Sequence, residues 1–533
     1  MDWPVRDDAS SARTHPADSS YTPSTLTPNF ALTLWATAER FPEQAAIDDR
    51  ESITSWAAVR AHAAGIARAL TEGGLRPGDR VGLWLGRSAA SAAAFFGVLA
   101  AGGVAIIIND RLRPRQVEHI LGHSTARLLL TNTEILQRQN RDLETATQVV
   151  NIATMPTSGE FTPVPRVGRD YAQIIYTSGS TGLPKGVTWT HANVWAAARA
   201  VVHYVEVTER DRLASLLPFS FDYGFNQLLC AALAGATLVI ERSPLPEQIS
   251  ANLRAKRVTV LACVPPLWLQ LMGAPDFRRE PIPTLRAMTN TGGRIPVEGV
   301  RELRRLQPHA KLFLMYGLTE AFRGTYLPPE EVDAYPDSIG RAIPGTEIFV
   351  LRDDGTPCDD DEVGELVQRG ATVAAGYWND PETTAKVYRP NPLRPAGAPD
   401  DERVVYSGDL VRRDAEGRLF YVGRRDRIIK TLGVRVSPDE IADVLYASGH
   451  VAEAVVGTEG DDVRGTRIIA YVVLKDGSPL REVEAFCRRE LPRHMHPARY
   501  EVLTELPRTT SGKFDLRSAQ ELNPVRPPRT QTA

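Results

Sequence analysis

Cysteine is scarce in this chain and scattered where it occurs. Cys230, Cys263, Cys358 and Cys487 are the only four in 533 residues, and none stands at the short spacing of a metal site or a redox pair. That excludes a disulfide scaffold or a zinc module and predicts reduced, buried thiols in a cytoplasmic protein. Long apolar runs are absent too: nothing approaches the roughly 18 residues of a membrane-spanning helix. The first thirty residues open Met1-Asp2-Trp3-Pro4 and are rich in Ser, Thr, Asp and Pro. With neither a basic start nor an apolar centre they predict no signal peptide, no membrane partner and a poorly ordered segment over 1–28. Excess charge is missing as well. With 62 basic and 65 acidic residues the net charge is −3, which gives no basis for a nucleic acid partner. His203, His494 and His496 lack metal spacing and His191 follows Thr190 at a helix start, so these histidines read as structural or surface residues.

What is present is an ordinary globular composition, 43% hydrophobic and 24% charged, in a chain too long for one core. Val59, Ala63, Ile66, Ala67 and Leu70 recur at steps of three and four, a helical pattern over Phe30 to Leu70. Short apolar runs follow between helix-like stretches, at Val81–Leu85, Val104–Ile108, Leu128–Thr131, Thr237–Ile240, Val258–Leu261 and Leu312–Met315. This alternation predicts a large α/β domain of layered sheets and helices over 29–424. Arg389 to Glu402 is Pro-rich and reads as a surface loop. The texture changes near Gly417: Leu419–Val422, Ile428–Lys430, a helix from Ser437, and strands at Val451–Val456 and Ile468–Leu474 predict a small α+β domain. Ser437, Pro438 and Glu440 spell a capped helix start with a capping box, and the boundary falls between Gly423 and Arg427, giving a second domain over 425–533.

The stretch that organises the chain is Tyr176 to Gly186, Tyr-Thr-Ser-Gly-Ser-Thr-Gly-Leu-Pro-Lys-Gly, directly after the apolar run Ala172–Ile175. Gly179 and Gly182 let backbone N–H groups face an anion, Thr177, Ser178, Ser180 and Thr181 add donors, and Lys185 adds a positive charge, as a polyphosphate requires. It is not a Walker A loop, because Gly186 stands where the Mg²⁺-binding hydroxyl belongs. It resembles instead the phosphate loop of the adenylate-forming superfamily of acyl-CoA synthetases, amino-acid adenylation domains and luciferases. The resemblance runs from about Asn29 to Leu522 and implies that the chain activates a carboxylate with ATP and Mg²⁺, giving acyl-AMP and pyrophosphate, and passes the acyl group to a thiol.

Further motifs carry the likeness. Asn290-Thr291-Gly292-Gly293 and Tyr316-Gly317-Leu318-Thr319-Glu320 imply an adenine slot between Gly292-Gly293 and the Tyr316 ring, Thr319 at the α-phosphate and Glu320 on Mg²⁺, a hard cation that takes one or two protein carboxylates. Gly364-Glu365-Leu366 implies an architectural strand, and Tyr406-Ser407-Gly408-Asp409 an aspartate for the ribose diol. Gly423-Arg424-Arg425-Asp426 matches the interdomain hinge, with Arg424 near the nucleotide and Asp426 as pivot; Lys430, Gly433, Arg435 and Glu440 continue that motif. A proline at 426 is expected to keep adenylation and impair thiol transfer. Pro507 to Arg517, Pro-Arg-Thr-Thr-Ser-Gly-Lys-Phe-Asp-Leu-Arg, resembles the C-terminal lysine motif, which implies that Lys513 enters the site during adenylation.

The acid is read from three further places. Phe221-Asp222 resembles the motif in which amino-acid adenylation domains pair an aspartate with the substrate ammonium; the alternative is a helix cap at Asp222. Arg294 follows Gly292-Gly293, and Arg323 follows Thr319-Glu320. Each is either a carboxylate ligand, a surface charge or a partner of Asp222. With Thr291 they resemble the pocket of β-amino-acid-adenylating enzymes of macrolactam polyketide pathways, in the branch taking aspartate-like substrates. Met315 to Pro329 also resembles acyl-CoA ligases associated with exosortase loci. The thiol acceptor is expected in trans, a phosphopantetheinyl carrier protein or CoA, since no carrier domain follows Lys513.

Overall fold

Val104–Ile108 is five consecutive apolar residues, and it lies wholly buried between two parallel neighbours, Arg80–Trp84 and Tyr171–Ser178. A strand covered on both faces has no need of alternation. The computed structural model describes residues 29–49, 52–139, 142–178, 184–427, 429–431, 434–461, 465–509 and 512–522. The expectations for 1–28, Gly179, Ser180, Thr181, Gly182 and Gly433 therefore lie outside the described residues.

Two sheets build the large domain. One has seven strands, in the order Gly376–Tyr377, Pro184–Thr190, Tyr171–Ser178, Val104–Ile108, Arg80–Trp84, Leu128–Thr131 and Gln148–Asn151. The other contains a parallel run of Ala45–Asp48, Thr237–Ile240, Arg212–Ser215, Val260–Cys263, Ala287–Asn290 and Lys311–Tyr316. It continues antiparallel through Thr325–Leu327, Ser338–Ala342, Leu419–Arg424, Arg403–Arg413, Val363–Gly370 and Thr346–Leu351. Helices Trp56–Glu72 and Ala89–Ala100 supply much of the main core with the apolar residues Val59, Ile66, Phe95 and Phe96.

The small domain pairs Val451–Asp461 with Gly465–Leu474 and adds Arg499–Val502 in parallel. Helices Pro438–Ala447 and Leu480–Glu490 close its core through Ile441, Leu445, Val483 and Cys487.

Three sequence readings change. The helical pattern of Phe30 to Leu70 is two helices, Ala31–Arg40 and Trp56–Glu72, separated by Ala45–Asp48 and Ile53–Ser55; Pro42 and the short apolar Ala-Ala-Ile break the period. Leu419–Arg424 belongs to the large sheet, paired with both Arg403–Arg413 and Ser338–Ala342, so the small domain begins after it. Ser437 does cap its helix, but by accepting from the Asp439 N–H at 3.2 Å rather than through a box with Glu440; either bond satisfies one free donor of the first turn. Among the described residues no helix is long and apolar enough to cross a membrane.

Candidate active site

Four adjacent parallel strands, Arg212–Ser215, Val260–Cys263, Ala287–Asn290 and Lys311–Tyr316, end on the same edge. Carboxyl ends of parallel strands are where open α/β sheets place ligands. The segments leaving them carry Phe221-Asp222, Val264, Thr291–Arg294 and Tyr316–Arg323. Lys513 arrives there from the small domain. Its ammonium stands 5.3 Å from the centre of the Phe221 ring, and its stem passes so close to Gly292 that a Cβ there would lie 3.1 Å from Cε. Gly292 also has φ of +80°, so glycine is required twice over, for backbone and for space. Burial lowers the Lys513 pKa against the attraction of Asp222, Asp409 and Glu320. The three carboxylates thus share one lysine.

The ribose and metal residues are fixed by protein partners. Tyr316 donates its hydroxyl to Asp409 at 2.5 Å, and Arg424 stands 3.5 Å from the other Asp409 oxygen. Burial holds the Asp409 carboxyl above its usual range, with Arg424 and Tyr316 opposing. Glu365 accepts from the Gly408 N–H at 2.9 Å and so anchors the turn before Asp409. Tyr377 donates to Glu320 Oε1 at 2.6 Å, and the Glu320 carbonyl accepts from Ala374 N–H at 3.0 Å. Glu320 therefore offers the single fixed carboxylate that Mg²⁺ requires of a protein. The Thr319 carbonyl accepts from the Trp189 indole at 3.2 Å.

Lys185 lies opposite Thr177 in the paired strands Tyr171–Ser178 and Pro184–Thr190. Its ammonium donates to Thr383 at 2.5 Å and meets Asp380 at 3.1 Å. Hydrogen bonds from Thr383, then the Lys185 charge, bring the Asp380 pKa down to about 2. Tyr377, Asp380 and Thr383 were not found from sequence. Asn379-Asp380-Pro381 spells a capped helix start, and Asp380 does cap Pro381–Val387, but nothing in that signal points to Lys185.

Arg323 is delivered by the loop after Tyr316. Gly324 N–H returns to the Tyr316 carbonyl at 2.9 Å, Phe322 takes the left-handed φ of +60°, and a Cβ on Gly317 would stand 2.2 Å from the Phe322 carbonyl oxygen. The result puts Arg323, only 2% exposed, over the rings of Tyr223 at 4.6 Å and Phe322 at 4.7 Å. Its Nη1 donates to the Phe322 carbonyl at 3.2 Å. Among the described residues Nε and Nη2 have no hydrogen-bond partner, and neither do the buried Asn226 Nδ2 and Thr291 Oγ1. Asp222 is buried nearby as the first residue of helix Asp222–Ala234 and accepts from the Tyr223 N–H at 2.7 Å. Burial raises its pKa, opposed first by Arg323 and then by Lys513.

Arg294 corrects its expectation. It does not join Asp222 and Arg323 but forms a 2.6 Å ion pair with Asp443, on the small-domain helix Pro438–Ala447. The chain turns at Gly292 and carries the next side chains outward. Burial lifts the Asp443 pKa to about 6 despite Arg294.

The hinge expectation also changes in detail. Arg425 is tied to the large domain, 2.6 Å from Asp353 and 3.2 Å from Glu365, so movement starts beyond it. Arg427 N–H bonds the Arg424 carbonyl at 3.0 Å, which makes Asp426 the third residue of a tight turn, without positive φ. Proline is disfavoured there because it drives the preceding residue out of the helical region. Asp426→Pro is therefore expected to open this turn and slow acyl-AMP formation about tenfold, for strain of about 1–3 kcal/mol, the reverse of the sequence expectation. Pyrophosphate exchange measures it; an unchanged rate would place the pivot elsewhere.

The AMP-binding enzyme model matches residues 34–378, and the model of the AMP-binding enzyme C-terminal domain matches 440–513. The chain belongs to the AMP-binding enzyme family. As an AMP-binding enzyme it is an AMP-forming ligase that activates a carboxylic acid, with ATP and Mg²⁺ as cofactors. It is 32% identical over 502 residues to novobiocin biosynthesis protein H of Streptomyces niveus, covering 90% of this chain and 81% of that protein. It is also 29% identical over 493 residues to tyrocidine synthase 2 of Brevibacillus parabrevis, across 91% of this chain but 13% of the synthase. The chain spans only 6–13% of the length of the linear gramicidin, plipastatin and tyrocidine synthases that it matches in this way. Among solved structures, O-succinylbenzoate coenzyme A synthetase of Bacillus subtilis, in complex with ATP and magnesium, is similar with a TM-score of 0.79 and 25% identity, over 90% of this chain and 98% of that one.

Proposed function

We propose that this AMP-binding enzyme adenylates a β-amino acid bearing a second carboxylate, aspartate or 3-methylaspartate in type, and transfers it to the phosphopantetheine thiol of a carrier protein. The observation carrying this reading is the buried Arg323 with unpaired donors beside a buried Asp222. A desolvated cation and a desolvated anion left so close but incompletely bonded favour a ligand with both charges. Asp222 takes the ammonium, and Arg323 with Thr291 takes the carboxylate that is not activated.

In the first step an oxygen of the other carboxylate attacks the α-phosphorus of ATP. The new P–O bond forms as the bond to pyrophosphate breaks, and its electron pair leaves with pyrophosphate. The attacking group is already an anion, so no protein base is needed; positioning and charge stabilisation suffice. Lys513, Thr319 and Lys185 hold the phosphates, Gly292, Gly293, Tyr316 and Gly317 the adenine, and Asp409 and Arg424 the ribose. Mg²⁺, bound through Glu320, supplies neutralisation of phosphate charge. In the second step the thiol sulfur attacks the acyl carbon and AMP leaves. A cavity of about 290 Å³ beside Pro218, Ser220, Val264 and Gly512, carrying Arg87, Arg111 and Arg508, suits the phosphate of a phosphopantetheine arm.

A second reading is an acyl-CoA ligase for an acid without an amine, favoured by the likeness to a coenzyme A synthetase. Pyrophosphate exchange against aspartate, 3-methylaspartate, β-alanine, succinate, fatty and aryl acids separates the two. Exchange with the amino dicarboxylic acids above all others is expected. Exchange with fatty or aryl acids and none with amino acids would overturn the pocket reading, and transfer to CoA as fast as to any carrier protein would overturn the acceptor.

A further inference from the structure

The turn Thr291–Arg294 meets the small domain at two points. Gly292 receives the stem of Lys513, and two residues on, Arg294 pairs with Asp443 at 2.6 Å. Lys513 lies at the far end of the small domain's sequence, whereas Asp443 lies on its first helix, Pro438–Ala447, which packs against the large-domain helix Val297–Leu306 just after Arg294. Two separate parts of the small domain are thus registered on one four-residue turn of the large one. The ion pair is partly shielded, with side chains 27% and 32% exposed, and Arg294 Nε is buried with no partner among the described residues. Rotation of the small domain about Asp426 withdraws Asp443 and Lys513 together.

We propose that Arg294 and Asp443 form a latch that holds the small domain in the orientation where Lys513 reaches the active site, making Arg294 a positioning residue for adenylation. Whichever acid is activated, the latch acts on the orientation and not on substrate choice. Its strength lies between that of an exposed pair and that of a buried one: strong enough to bias the orientation, weak enough to release it for thiol transfer.

The test reads orientation without any acid. All four native cysteines are buried, so nitroxide labels attach selectively at Arg301→Cys on Val297–Leu306 and Arg488→Cys on Leu480–Glu490, both exposed positions. Electron–electron resonance distances are recorded on the full chain with ATP and Mg²⁺. Arg294→Asp is expected to shift the ratio of the two orientations about tenfold away from that of the parent. The double reversal Arg294→Asp with Asp443→Arg is expected to recover it to within about threefold. Asp443 is flanked by Asp337, Asp439 and Glu440, so an arginine is accommodated there. Asp443→Asn, nearly isosteric, gives the same comparison where a reversal lowers the melting temperature. An unchanged distance distribution in Arg294→Asp or Asp443→Asn, or a double variant that fails to recover, overturns the latch. So does pyrophosphate exchange in which Arg294→Asp raises KM for dicarboxylic acids alone and leaves kcat for the others intact, since that is the signature of a substrate ligand.

Discussion

Lys513→Ala is expected to slow acyl-AMP formation by on the order of 10² or more while leaving the fold and most ATP binding intact. The ammonium sits against Gly292 and Phe221, with Asp222, Asp409 and Glu320 as its charged surroundings, and a fixed donor aimed at developing phosphate charge typically contributes about 3–4 kcal/mol. Its stem fills the space at Gly292 but belongs to neither domain's apolar core, so alanine leaves the packing in place. Transfer from supplied acyl-adenylate to a thiol is expected to change little. Equal loss in both half-reactions would refute the assignment.

The second large effect concerns Arg323. Replacing it with alanine removes the cation that opposes the burial cost of Asp222, and a buried ion deprived of its partner typically costs about 3–5 kcal/mol. Use of an amino dicarboxylic acid is expected to fall by on the order of 10² or more on that scale, with simple β-amino acids gaining in relative rate. Asp222→Ala is expected to damage every amino substrate and spare acids without an amine. Measured as kcat/KM in pyrophosphate exchange, an Arg323→Ala enzyme that keeps its order of preference would refute the pocket. Tyr223 lies beneath the guanidinium and bonds the Thr289 carbonyl at 2.6 Å, so melting temperatures of both variants accompany the kinetics.

Much of this was legible because it rests on local pattern. Val104–Ile108 and Leu128–Thr131 are strands at the residues their apolar runs mark, and Thr190 caps the helix His191–Val205 as its hydroxyl foretells. His191 is structural, its Nδ1 accepting from the Phe30 N–H at 3.1 Å. Glycine motifs also located the strand ends that meet Lys513. Partnership was not legible. Arg294 and Asp443 are remote in sequence, and each reads alone as a surface charge. Asp380 and Tyr377 belong to a segment with a helix-start signal and no chemical one. Leu419–Arg424 has the same apolar composition whichever sheet it joins; pairing on both edges, not composition, assigns it to the large domain.

The hydrogen bonds around the nucleotide residues carry one more implication. The residue proposed for the ribose, Asp409, is bonded to Tyr316; that proposed for the metal, Glu320, to Tyr377; and that proposed for phosphate, Lys185, to Thr383 and Asp380. Nucleotide binding at these points is a trade of partners rather than a net gain of bonds, and a traded hydrogen bond contributes only about 0.5–1.5 kcal/mol. Such a site grips ATP modestly but discriminates sharply, because a nucleotide lacking one hydroxyl or phosphate oxygen breaks an internal bond without replacing it. It also keeps its shape between turnovers, each arm held ready by the neighbour it is about to leave.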